Sequence, residues 1–368
     1  MKTRFQLSTA LALAPWLAGW LCADAAAQDI GPMPELAAPL AVQGNSAMVT
    51  IAAEWDLSRL AQVDGSAISA QPAAGPEAPQ DADLTFGPAD PEPNLPRDAT
   101  GHVPREFASH REFFQQAGSV GTEMAILTAY VGLQSVPKLF KPTTGFHFKD
   151  EGWFGKDTQS LGMDKLTHAF NTYLIAELLH YRIHRNTNGS EGDAVTAAVL
   201  ASGLMAVNEI SDAIEPDSGY SMQDIIMNVA GAAFSALRNT TPGMKEKLAF
   251  KLEIVPNDQI YSHVGKKHYE QQRFMMSVKG AGFEDVRETP LRYLDLQVGY
   301  YASDFLNSDR EQGIIPKRHL FVGVGLNVGE LLFSNSSSRV GRAARSALDY
   351  IQLPYTSVRR DTQGEWSF

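Results

Sequence analysis

The sequence predicts an α+β chain: a bundle of about four to five helices followed by an antiparallel β-sheet of about five strands, preceded by a signal peptide and a disordered stalk. Three observations carry this reading. Apolar residues recur at helical spacing across residues 106–240, the period changes to two after Pro242, and the first 105 residues show neither pattern. The 368 residues leave room for one or two packed domains plus accessory segments. Hydrophobic residues make up 44%, charged residues 20%, and there are 30 glycines and 20 prolines, which excludes collagen, a coiled-coil rod and a wholly disordered chain. A mean hydropathy of -0.19 argues against a polytopic transporter.

Residues 1–27 open with Met1-Lys2-Thr3-Arg4, continue through the largely apolar run from Leu7 to Leu21, and end on Ala23-Asp24-Ala25-Ala26-Ala27. A basic start, an apolar middle and a small-residue exit are the three parts of a secretory signal peptide, with cleavage after Ala25 or Ala27. The only cysteine, Cys22, follows Trp20 and Leu21 rather than the small residues that precede a lipidated cysteine. The mature chain is thus expected to lack cysteine and to rest on its core, a metal, a membrane or a partner. The reading is an exported protein of a Gram-negative envelope, periplasmic or outer-membrane associated.

Residues 28–105 hold eleven of the 20 prolines, and eleven acids against Arg59, Arg97 and Arg105, so this linker supplies -8 of the net charge of -11. Its apolar content is too low to offset ordering entropy, which predicts a disordered acidic stalk. Without a basic cluster, nucleic acid is excluded as a partner. Gly323 to Gly329 lacks the strand-then-helix setting of a phosphate loop, so a nucleotide is excluded too.

Predicted helices cover 106–117, 122–139, 162–185, 193–214 and 221–237, forming a helical domain over 106–240. Asn188-Gly189 marks the turn after the third. Their uninterrupted apolar stretches fall short of the ~20 residues that cross a bilayer, so they are read as a buried bundle. An antiparallel β region follows over 241–335. Leu248, Phe250, Leu252 and Ile254 alternate with Ala249, Lys251 and Glu253; Leu294, Leu296, Val298 and Tyr300 alternate with Asp295, Gln297 and Gly299. Segments 273–280, 320–327 and 350–357 complete about five strands, the last in a C-terminal tail over 336–368. One face of the sheet is expected to lie on the bundle. The Val-Gly and Tyr-Tyr texture and the ending Trp366-Ser367-Phe368 resemble outer-membrane strands, which makes that membrane or another envelope component the expected partner. A closed membrane barrel, however, needs at least ~8 strands.

The chemistry is concentrated between Asp164 and Asn228. Asp164, His168 and Asn171 share one helical face, Glu209 and Asp212 stand three apart at the end of the next helix, and Ser221 with Asp224 opens the following one ahead of Asn228. Ser221 and Asp224 fit a capping-box variant. Four carboxylates, one imidazole and two amides on three apolar helices must pair, neutralise or bind a cation, because a lone buried carboxylate costs several kcal/mol. Convergence on one point is the expectation. One reading is a structural network that locks three helices. The alternative is an enzyme or binding protein for a phosphate-bearing or lipid-linked envelope molecule. There Glu209, Asp212 and Asp224 would hold a divalent cation (Mg, Ca or Mn), His168 would act as acid or base with Asp164 orienting it, Lys165 would meet a phosphate, and Asn171 and Asn228 would complete binding. His180 and His184, four apart, read as a solvated helix end.

The strings Gly145-Phe146-His147, Asp150 to Asp157, Asp164-Lys165-x-x-His168, Glu209-x-x-Asp212 and Ser218-Gly219-Tyr220-Ser221-x-x-Asp224-x-x-x-Asn228-x-x-Gly231 resemble the YfiM-like family of predicted periplasmic lipoproteins of unknown function. The resemblance runs over residues 140–335 and includes Leu326 to Leu331. The order of the polar motifs is similar in a looser way to VanZ-like membrane proteins, whose long spanning helices this chain lacks. The resemblance implies an envelope location.

Overall fold

The computed structural model describes residues 112–135, 143–216, 218–256 and 267–368, so the expected signal peptide, stalk and start of the first helix lie outside the described residues. Those described belong to one compact unit, Asp83–Phe368. Its helices are α1 (Phe113–Gly118), α2 (Gly121–Ser135), α3 (Met163–Thr187), α4 (Asp193–Asp212), α5 (Met222–Thr240), α6 (Met244–Lys247), α7 (Glu284–Arg287), α8 (Asn307–Glu311), α9 (Val328–Phe333) and α10 (Arg339–Ala347). The spans expected for α3, α4 and α5 are realised to within three residues.

Local chemistry sets these ends. Asn188 takes the left-handed conformation that closes α3, and Gly189 follows with φ 74°, as the Asn-Gly pair predicts. At the start of α5 the Ser221 hydroxyl accepts the Asp224 backbone N–H at 3.3 Å. Helices α3 and α5 approach so closely that a Cβ on Gly231 would lie 1.9 Å from the Ala169 carbonyl oxygen. An apolar core of Ile175, Ala176, Leu179 and Ile183 from α3 with Ala197, Ala201, Leu204 and Met205 from α4 joins the bundle, capped by Val120 and Leu127.

The sheet has seven strands, not five: β1 (Leu248–Ile254), β2 (Gln272–Lys279), β3 (Leu294–Ser303), β4 (Lys317–Leu326), β5 (Ile351–Gln352), β6 (Ser357–Asp361) and β7 (Trp366–Ser367), in the order β5-β1-β2-β3-β4-β6-β7. It is also not purely antiparallel, because β5 pairs parallel with β1. The segment expected as one last strand is split where Tyr355 takes φ 63°. This turn sends β5 to one edge of the sheet and β6 to the opposite side, beside β4.

The sheet is also curled. Glu253 on β1 pairs with Arg359 on β6, although β2, β3 and β4 lie between them. At about 4.8 Å per strand, a flat sheet would hold them ~19 Å apart. The inner face is polar and buried: Lys251 meets Asp295 at 2.6 Å, Asn327 donates to Asp295 at 3.0 Å, and Gln297 donates to Gln352 at 2.9 Å. Phe250 and Phe274 on the outer face of β1 and β2 pack on Phe170 and Tyr173 of α3. Further along that face, Leu296, Val298, Leu320, Val322, Val324 and Val358 are exposed. The expected alternation is present, but its polar members point inward.

The helices depart from expectation in a related way. They do not form a buried bundle, since Val195, Val199, Val207 and Ile210 of α4 and Met222, Ile226, Val229 and Leu237 of α5 are about half exposed. Among the described residues, one helix, α4, is long and apolar enough by length and composition to cross a membrane.

Candidate functional site

The first turns of α3 and α5 and the last turns of α4 bring the predicted polar residues together. Lys165 projects from α3 into a ring of carboxylates: its Nζ donates to Glu151 Oε2 at 2.8 Å and pairs with Asp224 Oδ1 at 2.7 Å and Asp164 Oδ2 at 3.0 Å. One turn on, His168 lies between two acids, its Nδ1 3.4 Å from Glu209 Oε1 and its Nε2 3.8 Å from Asp224 Oδ1. Lys165, His168, Glu209, Asp224 and Asn228 are buried, whereas Asp164 and Glu151 are partly open to solvent. Asn228 accepts a hydrogen bond from the Thr172 hydroxyl at 2.8 Å, and Asn171 is buried on α3 one turn beyond His168.

Charge accounts for the protonation preferences. Burial opposes the Lys165 ammonium, but Asp164, Asp224 and Glu151 outweigh it and hold its pKa well above the ordinary lysine range. Burial likewise opposes the Asp224 carboxylate, yet His168 and then Lys165 hold it below its usual value. Glu209 is the exception. Burial pushes its carboxyl up to about 7 despite the pull of His168, with Asp224 and Glu151 adding to the rise. Four carboxylates face one lysine and one imidazole, and Glu209 is the acid that gives way.

The geometry revises several sequence expectations. Asp164 pairs with Lys165 rather than orienting His168. Among the described residues Asp212, half-buried at the end of α4, belongs to none of the groups that place three potential ligand atoms together; His168 takes its place, so His168, Glu209 and Asp224 have one ligand atom each within 4.8 Å of one another. Glu151, Asp164 and Asp224 form a second such group. Lys165 is already enclosed by acids, which leaves its charge directed at protein rather than phosphate. Glu151 was missed as a site residue, although it lies within the Asp150-to-Asp157 string.

Two further polar centres lie apart from this cluster. His180 is not solvated: it is buried and lies 3.2 Å from Asp193, while His184 pairs with the other oxygen of that carboxylate at 2.6 Å. Asp193 begins α4 and His184 lies in the last turn of α3, so the Asp193–His184 contact also suits both helix dipoles. Deeper in, Glu177 receives Arg238 at 3.1 Å and the Tyr350 hydroxyl at 2.8 Å, joining α3, α5 and the segment before β5. No signal short of the fold could pair residues so distant in the chain.

No curated protein and no solved structure matches this chain. Residues 150–240, the stretch that contributes Glu151, Asp164, Lys165, His168, Glu209, Asp224 and Asn228, match the family described as predicted periplasmic lipoprotein (DUF2279), the family its motifs resemble, and this identifies an exported envelope protein of the periplasm or outer membrane.

Proposed function

We propose that this envelope protein has a structural or interaction role and that the polar cluster is the fastening of its three central helices. The observation that carries this reading is that the charged groups bridge elements: Lys165 joins the segment before α3 to α5, and His168 stands between α4 and α5. A phosphate-bearing ligand would meet an excess of carboxylates with Lys165 already matched, which disfavours direct recognition of an anion. Removing one member of a buried ion pair typically costs about 3–5 kcal/mol. Asp224→Asn and His168→Ala are therefore expected to lower the thermal midpoint by several degrees. An unchanged midpoint together with lost envelope integrity in the producing cell would refute the fastening role.

A second reading is favoured by the imidazole and two carboxylates of His168, Glu209 and Asp224. Together they make a donor set for a divalent cation, and the imidazole moves the preference from Mg or Ca toward Mn or Zn. Equilibrium dialysis against Mn or Zn at pH 8, where Glu209 is ionised, tests it. One ion per chain, lost in Asp224→Asn, supports the cation site; no bound ion eliminates it.

A further inference from the structure

We propose that the folded domain is itself embedded in lipid, with the outer faces of α4, α5 and the β3-β4-β6 region seated in the acyl chains of the outer membrane. This rests on the reading above for location only.

Soluble helices turn charge toward water, and these do not. Between Asp193 and Glu209, α4 carries no charged residue, and its exposed stripe is Val195, Val199, Val207 and Ile210 with Gly203. Between Asp224 and Arg238, α5 carries none either, and it exposes Met222, Ile226, Val229, Ala233 and Leu237. Both bounding charges of α5 are buried. A helix apolar on every side belongs in a protein core or in a membrane, and these faces are not in the core. Their ionisable groups point inward, as they do in membrane proteins.

The sheet repeats the inversion. Lys251, Glu253, Asp295, Gln297 and Arg359 are almost wholly buried inside the curl, while Leu296, Val298, Leu320, Val322, Val324 and Leu326 face out. Polar-in, apolar-out alternation is the rule for outer-membrane strands. Strands β3 and β4 are each 10 residues long, the length that spans a bilayer when tilted. Two exposed charges lie on the outer face of β3, β4 and β6: Arg318, near the start of β4, and Arg360, level with Val322, whose guanidinium lies 5.7 Å over the Trp366 ring.

The heights agree. Leu320 to Leu326 covers ~20 Å at 3.3 Å per strand residue. Val195 to Ile210 and Met222 to Leu237 each cover ~22 Å at 1.5 Å per helical residue. These approach the ~25 Å apolar band of outer-membrane proteins. Two kinds of element with independent sequences carry apolar stretches of similar length, as seating in one bilayer would require. A protein partner would require no such match, which is why lipid is the occupant argued here.

The test uses the full chain with Cys22→Ser and single cysteines at Val199, Val229 and Val322, with Glu191→Cys and Gln312→Cys as exposed polar controls. Each is labelled with a bimane fluorophore and reconstituted into phosphatidylcholine vesicles with or without brominated acyl chains. Bromine is expected to quench the three apolar sites at least twofold and to leave both controls unchanged. Equal emission in both vesicle types at Val199 and Val229, or at Val322, overturns the proposal. So does a detergent-free soluble dimer that shields these labels, which would make the faces a self-interface. The fastening of the helices is read by thermal midpoint and stands or falls separately from the quenching pattern.

Discussion

Glu209 sits 3.4 Å from His168 in a nest of acids and lysine, and its proton follows the fold. In the unfolded chain the carboxyl ionises near 4.5; folded, it keeps its proton until about 7. Folding therefore takes up a proton between these values. The contribution of this group is fully favourable below 4.5 and is lost as pH rises through 7. At about 1.36 kcal/mol per unit, the window spans on the order of 3 kcal/mol, shared with His168 and Asp224. Glu209→Gln is expected to remove this slope, so that the variant gains on the parent as thermal scans move from pH 5 to pH 8. A constant difference between the two curves would show that the acid is not protonated in the fold.

At the scale of the element, the close crossing of α3 and α5 depends on the missing side chain at Gly231. A methyl there collides with backbone at Ala169, and backbone cannot rotate away. Gly231→Ala is expected to destabilise by about 1–3 kcal/mol, despite the better helix propensity of alanine. Denaturant unfolding measures this, and a neutral or stabilising result would mean the crossing is looser than described. The helices themselves were legible because apolar spacing, Asn188-Gly189 and Ser221-x-x-Asp224 are local signals. Which face of a strand is buried was not: Lys251 and Glu253 alternate with Phe250 and Leu252, and alternation distinguishes two faces without saying which is inside. The pairing of His180 and His184 with Asp193 was missed because the acid lies across a turn on the next helix. The meeting of Asp164, His168, Glu209 and Asp224 could be anticipated only because their helices offer so little other polarity.

For the whole molecule, the curl is held by buried charge. Arg359 reaches Glu253 and donates to Gln297 at 3.2 Å, and both acid and base are almost fully enclosed. Glu253→Ala leaves the guanidinium without its main counter-charge, with Gln297 as its remaining acceptor here, at an expected cost of about 3–5 kcal/mol, whereas Glu253→Leu with Arg359→Met is expected to recover most of it. Urea midpoints of the two variants separate these outcomes; equal losses would assign the damage to shape rather than charge. The seven-stranded architecture and the parallel β5 were beyond sequence reading because they depend on partners about 100 residues apart.

The Glu253–Arg359 contact also fixes an order of events. A chain made from its N-terminus delivers β1 well before β6, with Arg359 106 residues behind Glu253. Until those last segments emerge, Glu253 lacks Arg359, with Arg273 of β2 at 3.8 Å as its other basic neighbour in the finished fold, and β1 lacks its parallel neighbour. Long loops must close before such contacts are rewarded, which makes this step slow. The sheet is therefore completed only when its C-terminal strands arrive, and β1 keeps an open edge until then.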